Sequence, residues 1–519
     1  MVAAAASWGQ STVEIRSDDF KGGRRYQIFT RNVRFEQDNT QVFCDSAVRF
    51  NDNRVEAYGR VRVVNKADSV TIRAKQLYYD PVSRRSRMRQ DVVYRGPDFT
   101  LFTDNLDYNM ATRKAQYFNG GRIVDEQMKL ESVFGDFNPA NDVMIFRTRV
   151  VLNDPQGIVK SDYLRYNTKE GMAYFEGPTQ IIGKDNNVIN AKDGAQYDTE
   201  TRQFFGTETR IEDPEYVITG DQSSFIEGFR KIVGHVNLFS KSDSVTVLGR
   251  EALYQEAKGL TQIYGNPKLI MPFGNDTLWL SADTLVSYQG RGNGDRKLIA
   301  YNNVRIFKND LQGVADSLIY NFTDSTIYFY SNPAIWSEET QITGDSIQLL
   351  LGKGQVRKMY TYQNSFVISQ VNARRYNQIK GRQMETDFRD NKITRLNVQG
   401  NGESVYFQVE ADSMVSGMNR MICSNMLLTF ENNKISRIRF YQSPEASFVP
   451  VQEISEEKAK LEGFTWRDWQ RPTREAIELG LEPPKAPTPE ALRPEGAPQP
   501  PNEGPAAGVP GTPEEEGKP

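Results

Sequence analysis

Three side chains in this sequence belong to the types most used for chemistry: Cys44, Cys423 and His235. Two cysteines and one histidine cannot assemble a Cys/His zinc cluster. A Ser-His-Asp triad would have to be built on His235, and no Gly-x-Ser-x-Gly elbow stands nearby. His235 lies in Gly234-His-Val-Asn-Leu-Phe239, whose alternation reads as a strand, so a strand residue is expected rather than a catalytic base. Aspartate is the other recurrent candidate. It returns once per phrase along the chain, whereas a glycosidase cleft needs carboxylates in pairs. A column of metal sites is the alternative. Calcium-binding β-rolls carry dense Gly/Asp nonapeptides, and these are absent. The expectation is a protein that is not an enzyme and uses no metal or cofactor.

The aspartates belong to a repeat. The phrase Asp-x-apolar-x-Tyr/Phe appears as Asp104-Asn-Leu-Asp-Tyr108, Asp162-Tyr-Leu-Arg-Tyr166, Asp193-Gly-Ala-Gln-Tyr197 and Asp316-Ser-Leu-Ile-Tyr320. Phe50, Tyr79, Tyr108, Phe137 and Tyr166 follow one another at steps of 29 residues, and looser copies continue to Phe430. About thirteen units result, the last two longer and less regular. Each phrase closes a strand with period-two alternation. In Thr100–Tyr108 the expected same-face set is Thr100, Phe102, Asp104, Leu106 and Tyr108. A polar turn follows, then a second strand carrying a glycine: Gly59, Gly121, Gly177, Gly206, Gly234 or Gly265. Glycine inside a strand marks a bend or bulge. Buried stacked carboxylates would be costly, so each Asp is expected at a bend near solvent, accepting hydrogen bonds from turn N–H groups.

Such a unit cannot bury its own apolar face, so the units must stack. The expected fold is all-β, an elongated antiparallel β-jellyroll in which a folded-sheet repeat array encloses an apolar interior. Its exposed end strands are templates for end-to-end pairing or self-association. Cys44 and Cys423 occupy matching places in the first and last units, too far apart for a bridge within one chain. Free thiols are the simpler reading, and a head-to-tail intermolecular disulfide is the alternative.

Composition sets the limits. The net charge of −3 makes the whole chain no magnet for nucleic acid. The densest basic cluster, Arg84, Arg85, Arg87 and Arg89, reads as a solvated turn. No stretch approaches the ~20 apolar residues of a spanning helix. Residues 1–10 read as the remnant of a signal peptide or as disordered. Regular repeats are expected over 25–350 and less regular ones over 351–445, ending near Pro444. A helical cap or docking segment is expected over 450–482, with helices at Glu453–Leu461 and from Thr473, the N-cap, to Gly480. Within it Phe464, Trp466 and Trp469 either pack on the last repeat or dock a partner. Residues 483–519 are proline-rich and expected to be disordered.

Paired strands, the Asp-x-Leu-x-Tyr phrase and the later Gly-x-apolar strand together resemble the OstA/LptA family of lipopolysaccharide-transport proteins. Leu106-Asp-Tyr-Asn-Met-Ala-Thr-Arg-Lys-Ala115 and Asp68-Ser-Val-Thr-Ile-Arg-Ala-Lys-Gln-Leu-Tyr-Tyr79 carry the likeness, which covers roughly residues 25–445. The chain has more repeats than the small bridge protein of that family, and it ends without the β-barrel of the outer-membrane member. The resemblance implies a periplasmic place, with association to the outer membrane left open. It implies an apolar groove that shields the acyl chains of lipopolysaccharide or a related glycolipid, and contact with other jellyroll proteins of the transport machinery. Candidate lining residues are Leu77, Tyr79, Leu106, Tyr108, Leu164, Tyr166, Tyr197, Leu318 and Tyr320. A structural or adhesive β-solenoid with no lipid cargo is the competing reading.

Overall fold

Alternating apolar residues and short polar turns make this chain a succession of hairpins. The computed structural model describes residues 13–482, apart from 38, 67–68, 127, 139, 156, 184–186, 227, 290–295, 353–354, 391, 411–413 and 432–433. Residues 1–10, expected to be a signal-peptide remnant or disordered, and the tail at 483–519 lie outside the described residues. Among the described residues, 38 strands join into one antiparallel sheet, elongated along the stacking direction.

The sheet is folded along its length. The strand Arg85–Arg95 pairs with Thr100–Asn109, but Gln90 and Asp91 together stand opposite the single residue Asp104. Both residues of the pair have positive φ, 65° and 48°. The same two-against-one corner recurs at Arg31–Asn32, Thr148–Arg149, Asn302–Asn303 and Gln363–Asn364. A bulge bends its strand and increases the local twist. Stacked in register, the bulges crease the sheet into two walls. The first wall carries the hairpin turns near residues 51–54, 81–84 and 110–114, and the second those near 96–99 and 125–128. In places the strands are interrupted at the crease. Thr100–Asn109 pairs with Gly121–Val124 on the second wall and with the separate strand Ala115–Tyr117 on the first.

The corner corrects one expectation. Leu101 and Thr103 are buried while Phe102 is 36% exposed, and beyond the corner Leu106 and Tyr108 are buried. Within Thr100–Asn109 the alternation changes phase at the corner, where neither Asp104 nor Asn105 is buried, so Thr100 and Phe102 do not share a face with Leu106 and Tyr108. Glycine marks only some bends. Gly59, Gly177, Gly234 and Gly265 have positive φ, whereas Gly121 and Gly206 do not. At Gly59 a Cβ would lie 2.5 Å from an Asp45 carboxylate oxygen, so the corner needs both the φ of 71° and the missing side chain.

The sheet does not stop near Pro444. Its last strand is Glu445–Pro450. A helix follows at Arg474–Leu479, capped by the Thr473 hydroxyl, which accepts from the Ala476 N–H, and ended by Gly480 at φ 68°. The helix expected at Glu453–Leu461 is absent, and the described chain there holds a 3₁₀ turn at Val451–Glu453 followed by turns. The sheet takes its backbone groups instead. The Gln378 amide donates to the Ala459 carbonyl at 2.7 Å and accepts from the Leu461 N–H at 2.8 Å.

That C-terminal segment is a strap over the outside of the second wall. The Gln341 amide donates to the Thr465 carbonyl at 2.8 Å and accepts from the Arg467 N–H at 2.6 Å. Arg471 reaches Gln312 at 2.8 Å, and Arg474 lies over the Trp279 ring. The strap therefore crosses the strands in reverse order. Leu461 is buried with Phe366, Ile368, Val405, Phe407 and Met418.

Candidate functional site

The two walls face each other across an apolar interior. Tyr94 of the second wall and Tyr108 of the first have ring centroids 6.4 Å apart, and Phe99 meets Phe137 at 6.0 Å. Two core clusters fill the interior, one from Val13 to Phe204 and the other from Ile189 to Leu428.

The mouth between the two rows of hairpin turns is latched by side chains that reach across it. Tyr79 donates its hydroxyl to Gln37. Tyr197 donates to Asp154 at 2.6 Å. Arg296 pairs with Asp243. In each case the first-wall residue lies three strands beyond its partner, an offset that follows from the pairing order. Burial and the Asp154 carboxylate both push the Tyr197 hydroxyl well above its ordinary pKa, so it stays a donor. Burial disfavours the Asp243 charge, but Arg296 and the hydroxyls of Ser242 and Ser240 outweigh it and hold the carboxyl below its usual range.

Between these latches the walls stand apart. A cavity of about 540 Å³ is walled by Leu130, Met144, Phe146, Leu152 and Leu164. Its polar lining comes from hairpin turns at the mouth: Asp98, Arg113, Asp125, Asp142, Thr168 and Thr199. A second cavity of about 400 Å³ has Ile211, Ile232, Val247 and Leu269 inside, with Asp213, Glu215 and Glu256 at its mouth. Both volumes lie within the ~300–1,000 Å³ of ordinary ligand sites. A third space of about 30 Å³, between Leu318, Tyr320 and Phe388, is almost closed.

All nine candidate lining residues face the interior. Tyr108, Leu164 and Tyr166 line the larger cavity, and Leu318 and Tyr320 the smallest. Leu77, Tyr79, Leu106 and Tyr197 are buried in the packed core between the walls. Sequence reasoning missed Phe99, Met144 and Phe146 as lining residues, together with the acidic turns of the mouth. Phe99 and Asp98 follow Gly96-Pro97, a turn signal that could have located the rim. Phe464 and Trp466 pack on Tyr376, with ring centroids 5.3 and 5.1 Å away, and Trp469 is half-buried in the strap. Cys44 and Cys423 are buried at the two ends, and His235 is exposed at a corner, 2.9 Å from Asp221.

The recurrent aspartates sit at the crease, outside the groove. Asp104 accepts from the Asp91 N–H at 3.1 Å and Asp162 from the Arg149 N–H at 3.2 Å. Asp45 binds Arg60 at 2.8 Å, Asp283 binds Asn303 at 3.0 Å and Asp345 binds Asn364 at 3.1 Å. They fasten the corner residues of neighbouring strands.

Residues 12–162 match the family model of OstA-like proteins. That match covers a little under a third of the chain. Among solved structures it is similar to LptH of Pseudomonas aeruginosa, described as the LptA-homologous periplasmic component of the lipopolysaccharide transport device. The two are 12% identical over 22% of this chain and 82% of that one, with a TM-score of 0.20. No curated protein matches the chain. The OstA-like stretch contains the creased strands from Tyr26 to Asn109 and much of the lining of the larger cavity.

Among the described residues both ends of the sheet are open. Glu14–Arg16 and Asp19–Gly22 at one end, and Lys434–Tyr441 and Glu445–Pro450 at the other, each pair on one side among the described residues. Phe448, on the last strand, is 54% exposed.

Proposed function

We propose that this protein is a non-catalytic periplasmic bridge or scaffold of outer-membrane biogenesis. In this reading it shields the acyl chains of lipopolysaccharide or a related glycolipid between its walls and passes them toward the outer membrane. The observation that carries the reading is the 540 Å³ cavity, apolar within and polar only at the turns of its mouth. That gradient suits an amphiphile, with alkyl chains between the walls and a headgroup at the rim. Each methylene moved from water into such a space contributes about 0.8 kcal/mol, so several chains would be held without directional contacts. The OstA-like match over 12–162 supports the periplasmic setting. The open edge strands support end-to-end contact with other sheet proteins of the same machinery, or with a second copy.

The packed stretches around Leu77, Leu106 and Met88 favour a second reading, a structural solenoid without cargo. Photocrosslinking in cells separates the two. A photoreactive residue at Tyr166 or Tyr254, both lining cavities, should yield lipopolysaccharide adducts, and one at the exterior Phe205 should not. A folded chain with no adduct at either inner position would leave the structural reading standing alone.

A further inference from the structure

The 540 Å³ and 400 Å³ cavities between the walls are separated by a built feature of the first wall. Directly paired residues form one row across its strands, running Met144, Tyr166, Ala173, Tyr197, Phe204, Phe225, Arg230 and Tyr254. Met144, Tyr166 and Ala173 line the 540 Å³ cavity, and Arg230 and Tyr254 line the 400 Å³ one. The three aromatic residues between them line neither. Their rings are in series, Tyr197 to Phe204 at 6.3 Å and Phe204 to Phe225 at 6.5 Å. Phe225 packs against both core clusters, as does Ile181 on the opposite wall. The Tyr197 hydroxyl ties this septum to the second wall through Asp154 at 2.6 Å.

We propose that the groove holds two separate amphiphile sites, one on each side of the Tyr197–Phe204–Phe225 septum, each taking alkyl chains of an acylated lipid with the headgroup at its own mouth. This rests on the lipid reading above and divides it. Polar lining residues cluster at hairpin turns in each cavity separately: Arg113 and Asp142 at the first, Glu215 and Glu256 at the second. Each site therefore has its own apolar body and its own polar rim. A continuous slide along the interior would have to displace three packed rings and break the Tyr197–Asp154 bond. The septum makes lipid movement along the chain stepwise, from one chamber to the next.

Native mass spectrometry of the full chain with myristoyl lysophosphatidylcholine, a single-chain probe, tests the division. The unaltered protein should hold two molecules. Ala173→Trp fills the first cavity and Ala252→Trp the second, and each should leave one bound molecule; the double variant should leave none. The milder Ala173→Leu and Ala252→Leu serve if either tryptophan variant fails to fold. One molecule bound to the unaltered protein and lost in either variant would overturn the division while leaving the lipid reading intact. Two molecules retained in both variants would overturn these sites. No binding to the unaltered protein would sink the lipid reading and the division with it.

Discussion

The Asp162 carboxylate accepts a hydrogen bond from the Arg149 N–H at 3.2 Å, across the crease between two neighbouring strands. Asp104 makes the same bond to the Asp91 N–H at 3.1 Å, two repeats earlier in the sheet. The recurrent Asp is thus a fastener for a backbone amide that the bulge removes from the ladder.

Replacing Asp162 with alanine leaves that amide to water, since the corner is exposed. The expected cost is about 1 kcal/mol and local, because a net hydrogen bond is worth roughly that much. Hydrogen exchange should show the Arg149 amide opening roughly fivefold more often, with distant strands unchanged. Asp162→Asn keeps an acceptor and should restore most of the protection. Unchanged exchange in the alanine variant would mean that the corner is held by the backbone alone.

Gly234 is the corner where substitution should do most harm. Its φ is 99°, and an added Cβ would lie 2.2 Å from an Asp221 oxygen. Gly234→Ala must therefore move Asp221 and hold alanine in the left-handed region, at a cost of about 1–2 kcal/mol. Asp221→Ala in the same chain clears the clash and should recover part of the loss in a urea titration. Equal destabilisation with and without Asp221 would show that φ alone matters.

The repeat was legible because hairpin ends and crease both recur at a fixed step. Tyr79, Tyr108, Tyr166 and Tyr197 were located as repeat-end residues, and the Asp was placed at a bend, by physical argument from its polarity. The face of the residues before the bend was not legible. Phe102 and Leu101 differ by one position, and only the unpaired corner residues reveal which points inward. Most corners carry Arg, Asn, Gln or Thr at positive φ, types that give no glycine signal. The cavities were not legible either. They depend on how far the walls stand apart, a property set by cross-wall contacts such as Tyr197–Asp154, whose partners lie 43 residues apart.

The buried thiols bear on the head-to-tail disulfide. Burial, with some help from the Asp45 charge, pushes Cys44 up to about 12, and burial raises Cys423. At pH 8 roughly one Cys44 thiol in ten thousand would be ionised, and the thiolate is the reactive form. Native protein should resist iodoacetamide, react at two sites when unfolded, and run as a monomer on a non-reducing gel. The linkage has a definite sign. The unfolded thiol, at its ordinary value of 9.0, ionises while the folded one does not, so this contribution to stability is complete below pH 9 and is lost as pH rises toward 12. Rapid native labelling at pH 8 would contradict the burial and reopen the bridge.

The strap is held by two glutamines that each make a reciprocal amide pair with its backbone. Gln341 serves Thr465 and Arg467, and Gln378 serves Ala459 and Leu461. Both side chains are buried, at 0% and 1% exposed, so truncation strands strap groups away from water. Each loss should cost about 1–3 kcal/mol. In Gln341→Ala with Gln378→Ala the strap should detach while the sheet stays folded, since the walls close on their own cores. Trypsin should then cut rapidly after Lys458, Lys460 and Arg467. Detachment would also uncover Phe366, Ile368, Phe407 and Met418, an apolar patch that should bind a hydrophobic dye and promote association. Slow cleavage and no dye binding in the double variant would show that ring packing of Phe464 and Trp466 on Tyr376 suffices to hold the strap.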